Sequence, residues 1–170
     1  MKGIILLTGE PYAGPIEKEK GDLVLSADGA LRWAAGKVEI DITAGDFDSH
    51  GYVPEHSVVY PSEKNFTDGE IALDLLIGKG CRELVIYGGG GGREDHLFGN
   101  LQLLYAAYLR GVHCVMRTNF CDVYCASGKI VFENMSGRTV SLAPVGLSAH
   151  IMNSEGMKYP LEDLTLTAGS

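Results

Sequence analysis

Positive charge is scarce in this chain. Lys and Arg number 14 against 22 Asp and Glu, for a formal net charge of −8. That balance disfavours a general nucleic-acid-binding role, which needs a basic face to neutralise phosphates. Long apolar runs are also missing. None reaches the roughly 18 residues needed to span a membrane, so no membrane partner is expected. The opening MKGIILLTGEPY meets Gly and Pro at once. It reads as a first β-strand, since a signal peptide needs a longer apolar region and a small-residue cleavage site. Cysteine is limited to Cys81, Cys114, Cys121 and Cys125. Cys121 and Cys125 are spaced C-x3-C, not the C-x2-C of zinc and redox sites. Buried free thiols in a reducing cytosol are the expectation, which makes the protein cytoplasmic. Neither G-x-x-x-x-G-K-[ST] nor G-x-G-x-x-G with a distant acid is present, so the usual nucleotide fingerprints do not apply. There are no long linkers, low-complexity tracts or clear repeats.

What is present suits one domain, or one domain with a small companion, in 170 residues. A hydrophobic content of 45% is enough for a real core. Apolar runs of strand length recur: IILLT (4–8), DLVLSAD (22–28), IDITAGDFD (40–48), SVVYP (57–61), ELVIYG (83–88) and VHCVMRT (112–118). Helical patterns lie between them at 30–36, at 68 to about 79, and at 96–111. Thr67 followed three residues later by Glu70 has the spacing of a capping box. This alternation predicts a Rossmann-like α/β domain over 1–122, with a mostly parallel sheet and helices on both faces. From about 119 the pattern changes. DVYCAS, KIVFENM, RTVSLAPV, LSAHIMN and the Tyr159–Leu161 region read as short β pieces split by Ser-Gly, Pro and Asn. They predict a smaller antiparallel β domain over 123–170.

In such sheets ligands sit beyond the carboxyl ends of the strands, and the unusual polar stretches fall there. Asp28-Gly29 ends the second strand, and TAGDFDSH ends the third. In an extended chain Asp46 and Asp48 point to one face, either as a solvated acidic turn or as a Mg²⁺ site. SEKNFTDGE places Lys64, Asn65, Thr67, Asp68 and Glu70 in one strand-to-helix loop. It is either a capped helix start or a group that neutralises phosphate (Lys64) and adds a carboxylate (Asp68). Gly88–Gly92 are five consecutive glycines. Glycine lets backbone N–H groups approach a phosphate closely, and Arg93 directly after them adds a fixed cation suited to polyphosphate. Asp95 either caps the following helix or acts in catalysis. His96 reads as a packing or hydrogen-bonding residue, because no second His stands at metal spacing. Asn100, one turn on, faces the same end. Three Asp, one Lys and one Arg at a single sheet edge suit phosphoryl-type transfer from a nucleotide.

Taken in order, Asp28-Gly29, Gly45-Asp46-Phe47-Asp48-Ser49, Lys64-Asn65-Phe66-Thr67-Asp68 and Gly92-Arg93-Glu94-Asp95-His96 with Asn100-Leu101 resemble the motifs of the thiamine pyrophosphokinase family. Val140-Ser141-Leu142-Ala143-Pro144 and Gly156-Met157-Lys158-Tyr159-Pro160-Leu161 resemble its C-terminal β domain. The resemblance implies Mg²⁺-dependent transfer of pyrophosphate from ATP to the thiamine hydroxyl, and a homodimer with the active site near the subunit interface. It gives Asp46, Asp48 and Asp68 the metal and its phosphates. It gives Lys64 and Arg93 the ATP phosphates, with Asp28, Thr67, Gly92 and Asn100 also on the nucleotide side. Asp95 is placed near the thiamine hydroxyl. Asn65 stands where the family often has an acid, and Ala30 where a glycine is common. The family usually continues past LTAGS with a Ser-Asn-containing strand, so the thiamine-binding β domain is expected to be shortened. Two other readings stand beside this one: a nucleotide-binding module without turnover, and a related Mg²⁺-dependent phosphotransferase with another acceptor.

Overall fold

The computed structural model describes residues 1–47, 53–61, 63 and 65–169. Asp48 and Lys64, both expected in the site, lie outside the described residues. Two compact units are present, Met1–Ala126 and Ser127–Ser170.

The first unit is a seven-stranded sheet in the order β4-β3-β2-β1-β5-β6-β7. Its strands are β1 (Lys2–Leu6), β2 (Leu23–Ala27), β3 (Ile42–Gly45), β4 (Ser57–Val59), β5 (Glu83–Tyr87), β6 (His113–Arg117) and β7 (Asp122–Tyr124). β1 to β6 run parallel, and β7 adds antiparallel to β6. Successive strand residues point to opposite faces. Ile5, Leu25 and Ile86 therefore enter one core, and Ile4, Leu6 and Val24 enter another. Burial of both faces explains why the strands read as continuous apolar runs.

The two faces are covered unequally. Ile71, Leu73 and Leu76 of α2 (Asp68–Gly78) and Leu103, Leu104 and Ala107 of α3 (Glu94–Leu109) fill the first core. The second face is covered by Ile16, by a 3-10 turn (Asp28–Ala30) and by the single-turn α1 (Leu31–Ala34). Thr67 caps α2 through a complete capping box with Glu70. α3 begins two residues before the expected start, with Arg93 at the cap position and no side-chain cap bond, so Asp95 is not the cap.

DVYCAS supplies β7 to the large sheet instead of joining the smaller β unit. In the second unit, β8 (Ser148–Asn153) and β9 (Glu162–Thr167) form an antiparallel pair. With flanking residues such as Val140, Leu142 and Tyr159 they line a cavity of about 240 Å³. KIVFENM and RTVSLAPV are not strands. A strand exists only where a neighbour completes its hydrogen-bond ladder. Among the described residues of this unit, β8–β9 is the only ladder.

All four cysteines are free. Cys81 and Cys114 are buried, but Cys121 is exposed, against the expectation of uniformly buried thiols. Burial pushes the Cys114 thiol up to about 12 and raises Cys81 as well. A raised thiol pKa keeps the unreactive protonated form at pH 8. Titration of the native protein with Ellman's reagent at pH 8 is expected to show rapid reaction at Cys121. Cys81 and Cys114 are expected to react only after unfolding. Equally fast labelling of Cys114 would contradict this placement. No described helix is long and apolar enough to cross a membrane.

Candidate active site

The strand order makes a switch point. From β1 the chain builds outward through β2, β3 and β4, then returns through α2 to β5 on the other side of β1. Loops leaving β1 and β5 diverge there, where ligands of open α/β sheets bind. Here the two loops stay zipped for several residues. Leu7 N donates to Tyr87 O (2.9 Å), Gly9 N to Gly88 O (2.8 Å) and Glu10 N to Gly90 O (2.7 Å). Any Cβ at Gly88 would lie 2.4 Å from the Leu7 carbonyl oxygen and 2.9 Å from the Trp33 ring. Gly88–Gly90 are thus buried packing positions, while Gly91 and Gly92 are exposed. Gly91 and Gly92 have φ of +70° and +76°, and nothing lies within 4 Å of where a Gly92 Cβ would be. A Cβ at Gly91 would lie 2.5 Å from Glu10 Cβ, so within the run only Gly92 has open space beside it.

At the ends of β2 and β3, Asp28 Oδ2 accepts the Phe47 N–H at 3.1 Å. The approach depends on Gly45, whose Cβ would sit 2.6 Å from that of Asp28. Phe47 is buried and takes φ +56°. For a residue other than glycine this conformation costs about 1–2 kcal/mol, offset by burial of the ring and the bond to Asp28. The backbone at Phe47 is therefore not extended, and Asp48, expected on one face with Asp46, lies outside the described residues. Asp46 is half-buried at its start.

The loop after β4 leads into α2. The Thr67 hydroxyl accepts from Glu70 N at 3.2 Å and lies 2.9 Å from Glu70 Oε2. Thr67 thus fixes the helix start, and half-buried Asp68 follows in the first turn, where a helix N-terminus favours negative charge. Gly69 lets α2 press on α3: its Cβ would lie 2.5 Å from Leu103 Cδ1. Asn100, on α3, donates from Nδ2 to Gly89 O at 2.8 Å.

Beyond the glycine turn Arg93 and Asp95 form a two-point ion pair, with Nε to Oδ1 at 3.1 Å and a second bond from Nη2 to Oδ2. Both side chains are about two-thirds exposed, 68% and 63%. The guanidinium holds the Asp95 carboxyl below its ordinary value, and the carboxylate raises Arg93. Asp95 is thus a carboxylate at neutral pH, able to accept a proton or a hydrogen bond. His96 is exposed.

Sequence reasoning missed the residues that brace the β1 loop. Asn119, after β6, accepts from Ala13 N at 2.8 Å and donates to Pro11 O at 3.1 Å. Trp33 Nε1 donates to Leu7 O at 2.9 Å. No short-range pattern announces partners this distant in the chain. A second cavity of about 500 Å³ runs along α2 and is lined by Tyr60, Phe66, Ile71 and Leu75 among others. It contains none of the expected site residues.

Among the described residues no three of His, Cys, Asp and Glu converge as a metal cage. Mg²⁺ does not need one, since it is usually held by one or two carboxylates together with substrate phosphates and water. The hard oxygen donors Asp46 and Asp68 suit that mode.

Residues 17–116 match the family described as thiamin pyrophosphokinase, catalytic domain. The chain belongs to this family. The matched stretch runs from before β2 to β6 and includes Asp28, Asp46, Asp68, Arg93, Asp95 and Asn100. A thiamine pyrophosphokinase of Bacillus subtilis (strain 168) is 32% identical over 114 residues, 66% of this chain. That match spans 53% of the relative, about half its length. The crystal structure of thiamine pyrophosphokinase from Bacillus subtilis superimposes with a TM-score of 0.78 at 26% identity, over 100% of this chain and 86% of that one. The thiamin pyrophosphokinase of Geobacillus thermodenitrificans shares the fold, with a TM-score of 0.69 at 23% identity over 99% and 84% of the two chains.

Proposed function

We propose that this chain is a thiamine pyrophosphokinase, transferring the pyrophosphoryl group of ATP to the hydroxyl of thiamine. In that reaction the thiamine oxygen bonds to the β-phosphorus, the bond from that phosphorus to the α,β-bridging oxygen breaks, and AMP leaves. The observation that carries the reading is the Gly91–Gly92 turn followed by the exposed Arg93–Asp95 pair, inside the matched family region. A guanidinium binds phosphate oxygens in the same two-point manner as a carboxylate. When Arg93 turns to the nucleotide, Asp95 is left as a carboxylate able to orient the acceptor hydroxyl and take its proton. Gly92 is exposed, with nothing within 4 Å of where a Cβ would stand, and Lys64 would add a second cation to the phosphates. Asp28 holds the Phe47 turn that carries Asp46, and Thr67 holds the start of the helix that carries Asp68.

Asp46, Asp48 and Asp68 would hold Mg²⁺, which when bound neutralises charge on the phosphates. The second unit is the proposed thiamine-binding part. It exposes Leu142, Leu147, Met152 and Tyr159, more apolar surface than so small a unit sustains alone, which supports the homodimer. A module that binds nucleotide without turnover is the competing reading. The test is AMP release from Mg²⁺-ATP with and without thiamine. Thiamine-dependent AMP is the expected result. Calorimetric binding of Mg²⁺-ATP without AMP would support the module instead.

A further inference from the structure

We propose that Asn100 is a positioning residue that ties the glycine turn to α3, the helix against which the start of α2 packs, and so sets the spacing between Arg93 and Asp68. The proposal rests on the nucleotide-transfer reading above. The carbonyl groups of the glycine run alternate in direction. Those of Gly88 and Gly90 accept from Gly9 and Glu10 of the β1 loop. That of Gly89 instead accepts from Asn100 Nδ2 at 2.8 Å. Gly89 is buried and closely packed on its other side, where a Cβ would lie 2.5 Å from Met116 Sδ of β6. Two residues later the chain emerges as the exposed turn that leads to Arg93. The remaining polar atom of Asn100, Oδ1, lies 3.6 Å from where a Cβ on Gly69 would stand, next in sequence to Asp68. One half-buried amide of α3 thus anchors the glycine run, and the start of α2 packs against the same helix, where a Cβ on Gly69 would lie 2.5 Å from Leu103 Cδ1. Phosphoryl-type transfer depends mainly on placement of charge and reactants, and displacement of about 1 Å can cost about a hundredfold in rate. Arg93 is long and exposed and can follow a phosphate that shifts slightly. In-line geometry tolerates no such shift.

The test is Asn100→Asp, which keeps the shape, removes the donor and sets an acceptor against the Gly89 carbonyl. Turnover in the thiamine-dependent AMP assay is expected to fall by about 30- to 100-fold, with the calorimetric Kd for Mg²⁺-ATP changed by less than about threefold. Amide hydrogen exchange is expected to quicken together at Gly90–Gly92 and at Asp68–Glu70. Leu104→Ala, a buried change on the same helix, controls for lost stability and is expected to leave turnover within about twofold of wild type. If Asn100→Asp does not fold, Asn100→Gln keeps the donor one methylene further out, with an intermediate loss of kcat at the same Kd expected. A rise in Kd matching the loss in kcat/KM would make Asn100 a direct nucleotide ligand and overturn the proposal. So would an unchanged kcat in Asn100→Asp, or a loss of kcat in Leu104→Ala as large as in Asn100→Asp. Absence of both AMP release and Mg²⁺-ATP binding in the wild type would overturn the functional reading and this proposal with it.

Discussion

Replacing Asp46 with Asn is expected to cut Mg²⁺-ATP-dependent AMP release by about a thousandfold while leaving the fold intact. Asn has nearly the shape of Asp but no charge. Removing one group that stabilises developing charge in a preorganised site typically costs about 10²–10³ in rate, and a metal-holding carboxylate belongs at the upper end. Asp46 stands at the exit of β3, half-buried and outside the core clusters, so little packing is at stake. The urea midpoint and circular dichroism spectrum should match wild type, while AMP release falls to background. Turnover at the wild-type rate in this variant would remove Asp46 from the metal assignment.

The second large effect is expected at Arg93. Arg93→Ala should lower kcat/KM for the nucleotide by about a hundredfold, the scale set by losing a two-point, charge-assisted contact to phosphate. Arg93→Lys should recover only part of it, because an ammonium cannot reproduce the planar fork. The variant also has a pH signature. In the wild type Arg93 holds the Asp95 carboxyl below its ordinary value, so the charged form persists to lower pH. Without Arg93 that carboxyl returns toward its ordinary value and takes up its proton at higher pH. If Asp95 must be ionised for transfer, the acid limb of the pH–rate profile moves upward in Arg93→Ala. A limb that stays in place would separate Asp95 from proton acceptance. The pair is exposed, and exposed ion pairs contribute little to stability, so the urea midpoint should hardly move.

The parts of this molecule that were legible in the chain are those decided over a few residues. The central parallel strands are continuous apolar runs because both sheet faces are buried there. α2 starts at Thr67 because a hydroxyl and a carboxylate three residues apart satisfy the free N–H groups of one helical turn. Polar residues gather at Asp28, Asp46 and Arg93 because strand ends are where an open sheet leaves backbone and charge accessible. The second unit was less legible. KIVFENM has the apolar content of a strand, but apolar content does not supply a ladder partner.

The amino-acid order by itself determined the strand and helix periods, the α2 cap and the grouping of acid and base at one sheet edge. These follow from side-chain alternation and short-range hydrogen bonding, which act within a turn or two. The tertiary structure decided what each of those residues does. Five identical glycines divide into three that are buried and two that are exposed, because only folding brings Leu7 and Trp33 against Gly88 and Met116 against Gly89. Phe47 turns inward with positive φ because Asp28, 19 residues earlier, holds its N–H. Asn100 faces Gly89, 11 residues before it, because the helix that carries it turns back along the sheet and packs on β6. Contacts between segments so far apart depend on how closely backbones approach, and no local pattern in the chain encodes that distance.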